Sequence, residues 1–156
     1  WQKRVNAYHR PYHECIDQRF ARAQENGRIP IILSVHSFTP SWKGVKRPMP
    51  CSVLWDKDDR LVKHLRGALS QRDISDERYC GEIGDNQPYS GRLKNDSLYT
   101  HGTSLGLPHA MIELRQDIVS SASDQAYWAN VMVTALMEAQ ADADCAMRKY
   151  FGSHCD

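Results

Sequence analysis

The chain has 156 residues, of which 41% are hydrophobic and 25% are charged, and its formal net charge is +1. This length suits one domain with a proper core, and the composition is that of an ordinary globular protein. The near-neutral charge argues against a basic nucleic-acid-binding surface, and no apolar run is long enough to cross a membrane. We therefore expect a single domain over residues 1–156, with neither nucleic acid nor membrane as a partner.

The first two predicted elements are a helix and a strand. Residues 11–26 carry apolar side chains at helical spacing, with Pro11 suited to the first turn and Gly27 suited to the stop. Residues 29–35 form a short, β-branched apolar run bounded by glycine and proline, which predicts a buried strand. His36 follows this run directly.

Helix and strand continue to alternate further along the chain. Residues 51–55 are predicted as a second short strand, followed by an aspartate-capped helix with one apolar face. Residues 70–100 are rich in Gly, Asp, Asn and Ser, and an irregular segment of this length is usually functional or disordered. Residues 110–114 are predicted as a third strand, and a last helix begins at about Ser123. This order predicts an α/β protein in one piece.

The five cysteines are an odd number and include no CxxC pair. This argues against a disulfide framework and against a zinc knuckle, although one or two disulfides are compatible with the count. Reduced thiols are usual in the cytoplasm. We therefore expect a cytoplasmic protein.

Two of the predicted strands carry polar groups toward their ends. His36 follows "IILSV", and Glu113 lies inside "AMIELRQD". Ligands of open α/β sheets bind beyond the carboxyl ends of the strands, and carboxylates are rarely buried without a partner. If the two strands are neighbours, the pair suits metal-assisted hydrolysis, in which His36 holds the metal and Glu113 takes a proton from a polarised water.

Two simpler interpretations remain open on spacing alone. His36 could donate a hydrogen bond to a loop carbonyl, and Glu113 could form a structural salt bridge with Arg115 or Arg47. No HxxE or HExxH motif occurs, so no complete zinc site can be identified locally.

The segments "ILSVHSFTPSWKGVKRPMPCSVLWDKDDRL", "GDNQPYSG" and "GLPHAMIELRQDI" resemble, in this order, the N-formylglutamate amidohydrolase family. "RPYH" near the first helix fits as well, so the resemblance spans nearly all of residues 10–130. The family is similar to the zinc carboxypeptidases and aspartoacylases, which implies a three-layer α/β/α fold with a mixed central sheet. The resemblance also implies that His36 binds Zn²⁺ and that Glu113 activates water. The implied reaction is hydrolysis of a C–N amide bond in a small N-acylated acidic amino acid such as N-formylglutamate.

The carboxylates of such a substrate would need cationic or amide donors. Arg47 is the first candidate, because a guanidinium binds a carboxylate through two hydrogen bonds, with a solvated loop charge as the alternative. Arg115 and Arg92 are weaker candidates. Asn86 and Tyr89 in "DNQPYS" could donate from the long loop, although "DNQP" is also ordinary turn chemistry.

The remaining histidines have less specific predictions. His101, in "LYTHGTSLGLPHA", lies where the family also tends to have histidine, and could approach the site or hold a loop. His109 is expected to cap or pack, and His13 to have a structural or supporting role. His64 and His154 are expected at the surface.

The sequence departs from the family pattern in two respects. Family members are longer, and a portion before the segment resembling "RPYHECID" contributes further metal ligands in them. Gln87 stands where the family commonly has Glu. With His36 as the one ligand carried over, a zinc site with three protein ligands is incomplete. We therefore expect the C-terminal portion of a longer domain. The alternatives are a rearranged site completed by His101, His13 or Asp85, and a non-catalytic binding domain.

Overall fold

The computed structural model describes residues 1 to 156. Its helices are α1 (Gln2–Arg4), α2 (Arg10–Glu25), α3 (Arg60–Ser70), α4 (Ser97–His101) and α5 (Ala122–Ala141), and a π-helical segment, Val5–His9, joins the first two. Its strands are β1 (Ile32–Phe38), β2 (Ser41–Trp42), β3 (Val45–Lys46), β4 (Cys51–Leu54), β5 (Gly84–Asp85) and β6 (His109–Arg115). None of the helices combines the length and apolar character that crossing a membrane requires.

Four of the strands form a mixed sheet in the order β1-β6-β4-β5. β1 runs parallel to β6, β4 runs antiparallel to β6, and β5 runs parallel to β4. Helices α3 and α5 pack on each other and on one face of the sheet, while α4 packs on β6 from the other side. The predicted α/β fold with a mixed central sheet flanked by helices is confirmed.

The side chains of β6 alternate between two environments. Ala110, Ile112 and Leu114 enter the main core, where they meet the apolar faces of α3 and α5. Met111 faces the other way and packs with Leu54 and Leu98 in a smaller cluster. This two-residue period puts Glu113 on the same face as Met111, opposite the main core.

The first strand differs from its predicted position. It begins at Ile32 and continues through His36 to Phe38, because its pairing with β6 extends as far as Phe38 and Arg115. His36 therefore lies inside the strand rather than after it. β1 is at the edge of the sheet, where exposed polar side chains are tolerated.

The other differences concern short elements. The hairpin β2–β3, the two-residue β5 and the five-residue α4 were not predicted. Elements this short span little more than one hydrophobic repeat, so periodicity cannot reveal them.

Candidate active site

A row of side chains crosses the sheet at the level of Glu113. In the strand register, His36 of β1 lies beside Glu113 of β6, and Ser52 of β4 lies on its other side. Directly paired residues of neighbouring strands point to the same face, so the three side chains share one surface. Gly84 of β5 is next in the row, and a Cβ there would lie 2.7 Å from Ser52 Oγ. There is therefore no space for a side chain on β5 at this end of the row.

Glu113 is a buried carboxyl group without a partner. It is 6% exposed, forms no salt bridge, and its Oε2 atom has no hydrogen bond. Ser52 Oγ is likewise buried and unpaired. Burial raises the pKa of Glu113, and the nearby His36 and Arg47 partly oppose this rise. The alternative in which Glu113 serves as a structural salt bridge does not occur in the structure.

His36 has an exposed imidazole, and no hydrogen bond involves its ring. The alternative in which His36 donates to a loop carbonyl is therefore also absent. An imidazole nitrogen is a donor that Zn²⁺ accepts, and the Glu113 carboxyl beside it can accept a proton from water, so this pair fits a zinc-dependent site. One imidazole does not complete the usual set of three protein ligands.

Arg47 and Tyr89 lie together beside this row. The Arg47 guanidinium is 5.5 Å from the ring centroid of Phe38 and 5.4 Å from that of Tyr89. Its hydrogen bonds to Thr39 O and Tyr89 Oη are long, at 3.4 Å each. Because these bonds are weak, most of the donor capacity of the guanidinium remains available to an anion.

The two residues line a cavity of about 720 Å³ together with Trp42, Lys43, Val45 and Pro88. This cavity has a cationic wall from Arg47 and Lys43 and an aromatic wall from Trp42 and Tyr89. A separate cavity of about 580 Å³ lies beside His36, between β1 and α5, and five of its eight lining residues are hydrophobic. Of the two, the first has the chemistry that a carboxylate needs.

Asn86 and Arg115 are used inside the protein. Asn86 Oδ1 accepts hydrogen bonds from the backbone N–H groups of Trp55 and Gly91, which fixes the loop. Arg115 donates to Asp117 and to four backbone carbonyls, and these bonds use all of its N–H groups. Neither arrangement favours a direct contact between these residues and a substrate.

Arg92 and His101 also lie outside the row. Arg92 Nε is 4.0 Å from Asp56 Oδ1. His101 is 3% exposed, and its ring nitrogens lie 2.6 Å from His13 Nδ1 and 3.3 Å from Asp17 Oδ1. His101 therefore connects α4 to α2.

Two further histidines are buried or half-buried. His109 is buried, with Nδ1 2.7 Å from Leu107 O and Nε2 3.0 Å from Thr103 Oγ1, as expected for a packing role. The surface prediction for His64 is wrong, because its side chain is 19% exposed and lies between α3 and the end of α5. Sequence reasoning also missed Ser52, since one serine in a short strand carries no signal of its facing Glu113.

The sequence profile of the N-formylglutamate amidohydrolase family matches residues 1–120. The chain belongs to the N-formylglutamate amidohydrolase family. The resemblance found in the sequence motifs is thereby confirmed. No curated protein matches the chain.

Solved structures share this fold. Gene product Atu2144 from Agrobacterium tumefaciens is 26% identical, with a TM-score of 0.71, and the match covers 87% of this chain and 53% of that one. N-formylglutamate amidohydrolase from Ralstonia eutropha JMP134 is 18% identical, with a TM-score of 0.57 and coverage of 90% and 54%. The chain thus spans about half the length of these relatives.

Proposed function

We propose that this chain carries the catalytic acid–base group and one metal ligand of an enzyme that hydrolyses the C–N amide bond of N-acylated acidic amino acids, N-formylglutamate among them. The observation that carries the proposal is the register that sets His36 beside Glu113, with the Glu113 carboxyl buried and unpaired. Membership in the amidohydrolase family supports the same reaction class.

Glu113 has the properties of a general base and acid. Its raised pKa brings the carboxyl closer to the proton affinity that transfer near neutral pH requires. In the proposed reaction it takes a proton from water while the water oxygen bonds to the acyl carbon. It then gives that proton to the amide nitrogen as the C–N bond breaks, so that N-formylglutamate and water yield formate and glutamate.

His36 would hold Zn²⁺ through a ring nitrogen. The metal would supply Lewis acidity, which polarises the acyl oxygen and acidifies the attacking water. We propose that the remaining ligands come from outside the His36–Glu113 row, because Ser52 and Gly84 complete that row without an imidazole or a second carboxylate.

Arg47 would bind the substrate's carboxylate, with Tyr89 as a neutral donor at the same cavity. Asn86, Arg92, Arg115 and His101 would act by shaping the surrounding loops and helices. We also propose a cytoplasmic location, which the five unpaired cysteines support.

The decisive experiment measures formate release from N-formylglutamate by the zinc-loaded protein and its variants. Glu113→Gln is expected to lower kcat/KM by about 10²- to 10⁴-fold, since it keeps the size of the side chain but removes its proton transfer. Glu77→Gln is the matched control, because Glu77 is an exposed carboxylate outside the His36–Glu113 row. Equal rates for Glu113→Gln and the wild type would reject the proposed role.

Zinc content gives a second readout that does not depend on turnover. His36→Ala should lower the zinc bound per chain, whereas Glu113→Gln should leave it unchanged. If the wild type binds N-formylglutamate in calorimetry without hydrolysing it, the chain acts as a binding domain and the catalytic proposal fails.

A further inference from the structure

A second group of metal-ligating side chains lies where α3 meets the end of α5, on the opposite face of the sheet from Glu113. It combines His64 of α3 with Asp142 and Cys145, which follow α5. The ligand atoms of these three residues lie within 4.8 Å of one another, and no other three His, Cys, Asp or Glu residues of the chain do so. Nothing in the proposed hydrolytic reaction uses them.

The two ring nitrogens of His64 face different carboxylates. Nε2 is 2.9 Å from Asp142 Oδ2, and Nδ1 is 3.9 Å from Glu138 Oε2. The shorter contact favours a proton on Nε2 when no cation is bound, and a cation at Nε2 would require the other tautomer, whose proton lies on Nδ1 facing Glu138. His64 thus directs Nε2 toward Asp142 and Cys145.

Asp142 is held in place as an anion. Its Oδ1 accepts a hydrogen bond of 2.9 Å from the backbone N–H of Asp144. This bond and the contact with His64 lower the pKa of Asp142, so the group is ionised at neutral pH. A fixed carboxylate is a ready oxygen ligand.

Cys145 is buried with a thiol that has no hydrogen-bond partner. It is 1% exposed, and burial raises its pKa to about 11. The thiol is therefore protonated when no cation is bound, and metal binding would replace the S–H bond with an S–metal bond and release one proton. A buried sulfur beside an ionised carboxylate is a better ligand than a reactive nucleophile.

Hydrogen bonds from Arg60 hold the turn that contains Cys145. The Arg60 guanidinium donates to Asp144 O at 3.0 Å and to Met147 O at 2.6 Å. Arg60 is itself buried and paired with Asp58 at 2.6 Å. Both sides of the group, the helix α3 and the turn, are consequently fixed before any ligand arrives.

We propose that His64, Asp142 and Cys145 form a binding site for a thiophilic divalent cation of the Zn²⁺ class. Bond lengths of about 2.0–2.3 Å in a tetrahedral site place ligand atoms about 3.3–3.8 Å apart, so small side-chain rotations close the site. The thiolate disfavours Mg²⁺ and Ca²⁺, which prefer oxygen ligands. A bound ion would link the end of α5 to α3. Glu138 would orient the imidazole of His64.

The test is a titration of the chelator-treated protein with Co²⁺, whose thiolate complexes absorb in the near ultraviolet. The cobalt–thiolate charge-transfer band of the wild type should reach its full intensity at one Co²⁺ per chain. Added Zn²⁺ should displace the Co²⁺ and remove the band. Cys145→Ser should abolish the band, and Cys155→Ser, the matched cysteine control, should retain it. His36→Ala should also retain the band, which separates this site from the proposed catalytic metal.

Two further variants distinguish loss of the metal site from misfolding of the chain. His64→Gln should abolish thiolate-coordinated Co²⁺ while the far-ultraviolet circular dichroism stays unchanged. Glu138→Gln should weaken binding by no more than about 10-fold, the lower end of the usual cost of removing a group that orients a metal-bound histidine, because this carboxylate is half-exposed and 3.9 Å from Nδ1. Absence of the band in the wild type, or its persistence in Cys145→Ser or His64→Gln, would overturn the proposal.

Discussion

The two faces of the sheet differ although the same strands build both. On the face covered by α3 and α5, Ile112 is fully buried and Leu114 nearly so, each among aliphatic and aromatic neighbours. On the opposite face, Glu113 is as deeply buried but has no partner for its Oε2 atom. The first face is closely packed and stabilises the fold, with Trp128 Nε1 as its one unpaired buried polar side-chain atom, whereas the second leaves both Glu113 Oε2 and Ser52 Oγ unpaired at one place, as sites prepared for a ligand do.

The layers that cover the two faces differ in the same way. Helix α3 contributes six buried residues, including Leu61, Leu65 and Leu69. Helix α2, which lies against α4 on the Glu113 side, contributes no buried residue, and its contact with α4 relies on His13 and Phe20. Stability is therefore concentrated on the face away from the candidate active site.

The largest effect on stability is expected from a cavity on the packed face. Ile112→Ala should lower the free energy of unfolding by about 2–5 kcal/mol, because the site lies in the middle of close-packed side chains. Chemical denaturation measures the change. Val35→Ala in the neighbouring strand is the control, since Val35 is 54% exposed and its loss should cost less than about 0.5 kcal/mol. Similar losses for both variants would show that the faces do not differ in packing.

On the open face, Arg47→Ala should impair recognition rather than folding. A charged hydrogen bond is worth about 1.5–3 kcal/mol, so KM for a dicarboxylic N-acyl amino acid should rise about 10- to 100-fold. KM for a monocarboxylic analogue should rise less. Equal increases for the two substrates would show that Arg47 does not bind the second carboxylate.

Glu113→Gln should change the pH dependence of the free energy of unfolding. The folded state raises the pKa of Glu113, so it binds the proton more tightly than the unfolded chain does. The wild type should therefore lose stability as the pH rises from below the usual glutamate range through the raised pKa. The variant should lack this loss and be the more stable protein at neutral pH. Urea denaturation measures the free energy of unfolding of both proteins as a function of pH. The same pH dependence in the wild type and in Glu113→Gln would contradict the unpaired burial of Glu113.

The smallest effect is expected at the contact between α2 and α4. Burial lowers the pKa of His13, and the nearby His9 and His101 lower it further, so the docked helix favours neutral His13. Docking should be complete above the usual histidine pKa and weaken as the pH falls below it. Amide hydrogen exchange, corrected for intrinsic rates, should show weaker protection of α2 at acidic pH. His13→Gln should remove most of this dependence, and an unchanged profile would exclude His13 as its source.

The sequence predicted those parts of the fold that are long enough to show a period. The apolar stripe of α5 and the β-branched run into β1 are both present near their predicted positions. The run "AMIELRQD" also marked Glu113 as unusual, because a charged residue inside an apolar run requires an explanation. His36 was identified for the same reason, though its position inside the strand was not.

Other features depended on residues far apart in the chain. Residue type alone made Arg115 and Asn86 candidates for substrate binding, yet the backbone carbonyl of Arg78 accepts from Arg115 and the backbone N–H of Trp55 donates to Asn86. His64 was expected at the surface because helical spacing does not reveal that the end of α5 covers it. Long-range packing decided these cases.

Local sequence predicted that strands and helices alternate, and that two of the strands carry an imidazole and a carboxyl group. Local spacing and side-chain shape suffice for this, since both act within one or two turns of chain. Only the tertiary structure decided that β1 and β6 are parallel neighbours in register, which places His36 beside Glu113. Strand pairing joins residues 77 positions apart (113 − 36), and no local pattern records which partners meet.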